Sequence, residues 1–277
     1  MPSPADAAPS PGLAGLLAAM LAADSQDAIW QMSCTAFEAM GFAHLIYGYS
    51  PDSRGLVLGS PEDYLVMSTL PPATIEELVA KGYYRQSATF HWALRNVGIA
   101  RWSLGHALCQ LPPDFAVTAD ALDFFYRNDI QTGCCIGLSQ VRSRGRAVLA
   151  LIGRPGWTQE QLDALIDARN DEIFAVAGVM HRCLSNLPFR VERRALTPRQ
   201  REVLEWVAYG KTAADIALIM GIAPPTVEKH LRLARETLGV ETTAHALIKA
   251  AFLNQVFVSL PPANPGQGAG DGLRRPE

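Results

Sequence analysis

The residues best placed for chemistry lie in APPTVEKHLRLARETLG, Ala223 to Gly239. Two prolines open the stretch and a glycine closes it, the punctuation of a helix with proline in its first turn and glycine just past its end. At about 100° per residue, Val227, Leu231, Ala234 and Leu238 fall on one narrow apolar stripe. Lys229 and Arg232 point nearly the opposite way, with Thr226 and Leu233 beside them, while His230 and Arg235 flank the stripe. Thr226 stands at the helix start, where free N–H groups and the helix dipole attract phosphate. A helix with a buried base and a cationic outer face suits the major groove of double-stranded DNA. The candidate contacts are Thr226, Val227, Lys229, His230, Arg232, Leu233 and Arg235, with Thr212 capping the preceding helix.

Other chemistries find less support. Gly-x-Ser-x-Gly is absent, since Val141 stands two residues after Ser139. No acidic pair or His-Cys constellation stands out, and Asp114, Asp120 and Asp123 read as a solvated helix face. An enzyme is not expected. The Gly210-Lys211-Thr212 tripeptide imitates a nucleotide-binding loop, but that loop needs glycine where Glu205 stands, and a strand before it. The cysteines are Cys34, Cys109, Cys134, Cys135 and Cys183, an odd number without a CxxC. Neither a disulfide framework nor a metal site is expected, no cofactor is called for, and a reducing cytoplasm fits best.

The elements that must position these residues follow from composition and pattern. A chain of 277 residues, 49% hydrophobic and 18% charged, suits a soluble protein of two domains. Its net charge of −3 is uneven. Residues 1–189 hold 12 Lys/Arg against 18 Asp/Glu, and residues 190–258 hold 10 against 7. A cationic C-terminal part is a hint of an anionic partner. Leu13 to Ala23 is as apolar as a signal-peptide core, but no basic residue precedes it and it is too short to span a bilayer. It reads as a first packed helix after a disordered leader over residues 1–12. Strands are expected at Ala43–Ser50, Gly55–Gly59, Gly133–Val141 and Gly145–Gly153, the last two joined by a hairpin. Helices are expected at Asp24–Met40, Thr74–Lys81, Pro113–Asn128 and Thr158–Leu184, the last opening with Thr158 and Gln161 at capping-box spacing. The fold class is therefore α+β. Residues 13–184 form an α/β/α sandwich around a mainly antiparallel sheet, 185–195 a linker, 196–258 an all-α four-helix domain, and 259–277 a disordered tail.

In the C-terminal domain, Thr197 with Gln200 and Thr212 with Asp215 have capping-box spacing, and Gly210, Gly221 and Gly239 stop successive helices. Residues 196–251 closely resemble the LuxR-type helix-turn-helix. The resemblance is carried by LTPRQREVL, GKTAADIA, PPTVEKHL, LGV and ALIKAA, in order and correctly spaced. The family usually has Glu where Gln200 and Asp215 stand, Ser or Thr at Ala223, and basic residues at Thr237 and often Thr243. Fewer positive charges mean fewer phosphate contacts and weaker, salt-sensitive binding. The N-terminal part resembles, more loosely, the autoinducer-binding domain of the same quorum-sensing regulators, through EAMGFAHLIYGY, Trp102, Gly133 and the long helix before the linker. A phosphorelay receiver would show alternating parallel strands and helices with acidic strand ends, which are not found.

The resemblance implies a transcriptional regulator that acts as a homodimer. It also implies a lactone site built from a Trp, a Tyr and an Asp-Pro, which counting back from Trp102 places at Thr74, Leu78 and Ser87-Ala88. None of these supplies the family's contact, so an ordinary acyl-homoserine lactone is not expected. The expected ligand is a small apolar or aromatic molecule, or none. Tyr47, Phe90, Trp92, Trp102, Phe124 and Phe125, with Thr74, Leu78 and Ser87, are the pocket candidates; aromatics at helical spacing more often simply fill the core. The contrasting reading is a protein-binding modulator that sequesters other LuxR-type regulators.

Overall fold

The structure is a computed structural model, and it describes residues 12–51, 53–54, 57–58, 63–104, 117–138, 145–187 and 195–257. Leu13–Ala22 (α1) and Gln26–Met40 (α2) come first, the latter capped by the Ser25 hydroxyl and ended by Gly41 at φ 115°. His44–Ser50 forms β1, with alternate residues fully buried on one face and half-buried on the other. The short pieces Ser53–Arg54 (β2) and Val57–Leu58 (β3) follow. The strands Leu65–Ser68 (β4), Gly98–Ser103 (β5), Thr132–Gly137 (β6) and Arg146–Ile152 (β7) join β1 in a five-stranded sheet. Its order is β4-β1-β7-β6-β5, and every pairing is antiparallel. The helices between them are Pro72–Ala80 (α3), Ala88–Ala93 (α4) and Ala119–Arg127 (α5).

Because side chains alternate across a strand, the sheet has two different faces. Leu45, Tyr47, Tyr49, Leu149, Leu151, Cys134 and Ile136 join the core beneath α1, α2 and the long helix Gln159–Asn186 (α6). Ile46, Gly48, Val148, Ala150, Ile152 and Cys135 face the other way, toward α3, α4 and α5. On the first of these faces the Tyr47 hydroxyl meets His181 Nδ1 at 2.9 Å, deep under α6. Burial pushes the Tyr47 phenol well up, Tyr49 adding to it, so the buried group stays neutral.

Several expectations are corrected. Within the expected Gly55–Gly59 strand the structure has β3, Val57–Leu58, which pairs with β2 in a two-stranded ribbon apart from the main sheet. The strands β4 and β5 were not expected. Both are sheet edges, where the pattern is mixed because one flank lacks a neighbour. The helix α4 was also not expected, being a turn and a half. The helix expected from Pro113 begins, among the described residues, at Ala119 behind the Thr118 cap. The long helix continues through Asn186, two residues beyond its expected end at Leu184. The expected leader apart from Gly12, the RSR turn, most of the linker and the C-terminal tail lie outside the described residues, as do Cys109, Asp114 and Ser139.

The C-terminal domain is four helices: Pro198–Ala208 (α7), Ala213–Met220 (α8), Pro224–Leu238 (α9) and Thr243–Phe252 (α10). Both capping boxes expected there are present, with Thr197 and Thr212 each accepting the N3 backbone N–H. The interior of the bundle is made by Val203, Leu204, Ile216, Val227, Leu231, Ala234, Leu238, Ala246 and Ala250, all buried.

Candidate functional site

The helix α9 is seated by Val227, Leu231, Ala234 and Leu238, and three of the four have no exposed surface. Val227 is therefore withdrawn as a contact: it is a core residue that holds the helix, with nothing left to offer a ligand. Lys229 and Arg232 are exposed, and Thr226, His230, Leu233 and Arg235 are half-buried. Arg232 pairs with Glu236 at 2.6 Å, with more than half of each side chain exposed. Such an exposed pair contributes little to stability. Arg235 donates to Thr243 Oγ1 at 3.0 Å and so ties α9 to α10. Thr212 is exposed at the start of α8, donating to Asp215 while accepting its N–H.

The helix start differs from the expectation of free N–H groups. Pro224 and Pro225 have none, and the Thr226 and Val227 N–H groups both point to Ala223 O, at 2.8 and 3.3 Å. What remains there for an anion is the dipole and the Thr226 hydroxyl. The arrangement can do one thing well: present a short cationic ridge, led by Lys229, on a helix whose opposite side is seated in the bundle.

The second site is a cavity of about 330 Å³ between the sheet and the α3–α5 side. That is within the range of small-molecule sites. Leu78, Ser87, Phe90, Trp102 and Phe125 line it. Tyr47, Thr74, Trp92 and Phe124 do not, each for a physical reason. Tyr47 is on the opposite sheet face. The Thr74 hydroxyl is turned to Asn128 Oδ1 at 3.0 Å. Trp92 is 37% exposed on the surface of α4. Phe124 is spent in packing, its ring 5.1 Å from that of Tyr83.

The polar lining is sparse and mostly committed. The Ser87 hydroxyl caps α4 by accepting the Phe90 N–H, and Thr89 donates to the Cys135 thiol at 3.4 Å. Burial pushes that thiol up to about 11, with Thr89 and the Trp102 indole pulling the other way. Gln86 Oε1 accepts from Thr118. The buried indole N–H of Trp102 leans toward this thiol, a weak acceptor, and completes no hydrogen bond with a described residue. Arg146, Tyr64, Gln86, Thr89 and Cys135 also line the cavity and were not among the expected residues. A sequence signal existed for Arg146, because it shares strand parity with Val148, Ala150 and Ile152. Among the described residues no cluster of His, Cys, Asp and Glu could hold a metal ion, and no helix is long and apolar enough to cross a membrane.

The two halves meet. Lys249 of α10 pairs with Asp63 at 2.9 Å, and the Asn254 amide donates to the carbonyls of Ser185 and Leu187 at 2.6 and 3.1 Å.

Residues 25–184 match the autoinducer binding domain, and residues 194–250 match the bacterial regulatory proteins of the luxR family. The chain is 24% identical over 247 residues to the transcriptional activator protein AnoR of Acinetobacter nosocomialis, covering 86% of this chain and 96% of that one. It is 39% identical over 80 residues to the transcriptional activator protein BjaR1 of Bradyrhizobium diazoefficiens, covering 28% of this chain and 32% of that one. Among solved structures, SdiA of Escherichia coli superposes with a TM-score of 0.46 at 13% identity, covering 88% of this chain and 97% of that one.

Proposed function

Because this chain belongs to the LuxR family of regulators that carry an autoinducer-binding domain, we propose that it reads promoter DNA as a homodimer through α9, under control of an apolar ligand other than an ordinary acyl-homoserine lactone. The observation that carries the DNA reading is the division of α9 into a buried stripe and an outer face led by Lys229 and Arg232. One helix-turn-helix reads a half-site, and a two-fold operator needs two copies. Exposed Leu218 and Ile248 on the C-terminal domain are apolar surface of the kind a second copy covers. The expected surplus on α6 is smaller: Leu162, Ile166, Ile173 and Val176 are fully buried within the chain, leaving Leu165 and Val179 half-buried. The ligand reading rests on an open cavity whose lining offers Leu78 and a committed Ser87 where the family has hydrogen-bonding groups. A cytoplasmic location follows from the same reading and suits the free thiols of Cys34, Cys134, Cys135 and Cys183.

The test begins with selection of bound sequences from a random pool. On the selected site, Lys229→Ala should lower affinity and reduce the slope of log K against log salt by roughly 0.9, the signature of one lost phosphate contact. Unchanged affinity and slope would reject α9 as the reading helix. Light scattering at micromolar protein should give a dimer with or without DNA; monomer in both conditions rejects that part. A saturable rise in melting temperature with an ordinary acyl-homoserine lactone would overturn the ligand assignment.

A further inference from the structure

The cavity's charge is one-sided. Among the described residues no Asp or Glu lines it, while two arginines, Arg101 and Arg146, do. Arg101 is spent: its guanidinium is held by Asp163 and Asp167 of α6. Arg146 has no such carboxylate among the described residues. One of its Nη atoms donates to the neighbouring Gly145 carbonyl at 3.0 Å, and its Nε is buried with no hydrogen-bond partner among them. A buried donor without a partner costs free energy, and a bound acceptor or an ordered water removes that cost. Arg146 opens β7, on the same face as Val148, Ala150 and Ile152, so it stands at one end of an apolar floor. Trp102 stands at the other end, level with Gly133 and Ile152 through the sheet register. Six residues of strand separate the two levels, roughly 20 Å. The Trp102 indole is also a buried donor with no completed hydrogen bond among the described residues. A guanidinium cannot accept a hydrogen bond, so the open Arg146 position asks the ligand for an acceptor, while the Trp102 indole N–H leans on the Cys135 thiol.

Resting on the reading of this cavity as a ligand site, the geometry points to an elongated apolar carboxylate as its occupant, with the anionic end on Arg146 and the chain lying along β7 toward Trp102. The carboxylate accepts from the orphaned Nε and from the second Nη, a fork that a point-like cation or a neutral donor cannot supply. Val148, Ala150 and Phe90 wall the chain. A neutral molecule of the same length gains the apolar contacts and leaves the guanidinium unsatisfied.

The experiment uses the full chain and a neutral apolar fluorophore, N-phenyl-1-naphthylamine, which brightens on entering a dry cavity. Dodecanoate, methyl dodecanoate and dodecanol then compete for it below their aggregation concentrations. Dodecanoate is expected to displace the dye at a concentration roughly tenfold or more below that of the methyl ester. Arg146→Met should erase that preference while the methyl ester competes as before; Arg146→Lys, which keeps the charge without the fork, should retain part of it. Dye uptake with no preference for the carboxylate in the wild-type chain overturns the proposal and leaves the apolar-cavity reading standing. A preference that survives Arg146→Met also overturns it. Absence of dye uptake in the wild-type chain overturns both, because the cavity is then closed to any apolar molecule.

Discussion

A methyl group added at Gly133 would lie 2.5 Å from the Leu151 carbonyl oxygen and 2.6 Å from the Trp102 ring. The carbonyl belongs to the neighbouring strand, so the spacing of β6 and β7 must open as well as the indole move. Gly133 is thus the floor on which Trp102 rests at the edge of the cavity. Gly133→Ala should destabilise the protein by about 1–3 kcal/mol, the usual cost of overpacking, measured by the urea midpoint. It should also change the near-ultraviolet circular dichroism, which reports ring environments. A variant of unchanged stability and spectrum would mean that the ring is not held there. At the same scale Val227 and Lys229, two residues apart on α9, divide the work of one helix. Val227, without exposed surface, seats it, and Lys229 is left to meet a partner. Helical spacing alone separates those roles, whereas the orphaned Arg146 Nε is invisible in sequence. Parity puts Arg146 beside Val148, but only the folded sheet shows that, among the described residues, no carboxylate pairs with it.

Elements were legible where their determinants are local. The capping boxes of α6, α7 and α8 are made by residues three apart, and all three form as spaced. The bounds of α9 are set by Pro224 and by Gly239 at φ 65°, both readable directly. The strands β1 and β7 declare themselves as short apolar runs bounded by turn residues. The edge strand β5 does not, because Arg101 leaves its own sheet to meet Asp163 and Asp167 on α6, a pairing set by tertiary structure. The same is true of the cavity, whose lining comes from elements scattered between Ile46 and Ile152. One local device carries a pH prediction. The Thr212 hydroxyl, and then its backbone N–H, hold the exposed Asp215 carboxyl below the ordinary carboxylate value. A carboxyl lowered by folding stabilises above its unfolded pKa, about 3.9, and ceases to as pH falls through the lower folded value. The stability difference between wild type and Asp215→Asn should therefore be present at pH 5 and vanish toward pH 2, by chemical denaturation at each pH. A difference that is flat with pH would mean the charge takes no part in the cap.

At the scale of the molecule, the proposed ligand control needs a path from a cavity on one face of the sheet to a helix in another domain. Tyr64 lines the cavity, and Asp63 beside it pairs with Lys249 of α10. Only 16% of the Lys249 side chain and 15% of the Asp63 side chain are exposed, so this pair is more sheltered than an ordinary surface bridge. From α10 the path continues to α9 through the Arg235–Thr243 hydrogen bond. Asn254 fixes the far end of α10 to the last turn of α6 through Ser185 and Leu187. We propose that a ligand seated against Tyr64 shifts the backbone it shares with Asp63, which either drags α10 or breaks the pair. Coupling of this kind is reciprocal: the factor by which ligand changes DNA affinity equals the factor by which DNA changes ligand affinity. Lys249→Met keeps the length and the packing of the stem while removing the charge. It is expected to bring both factors toward one together, with dye binding to the isolated protein unchanged because the cavity itself is intact. The check is a full cycle: DNA affinity with and without dodecanoate, and dodecanoate affinity with and without the selected DNA, in wild type and variant. A Lys249→Met protein whose two factors match those of the wild type would show that the signal crosses between the domains elsewhere, with the Asn254 contact as the next place to cut.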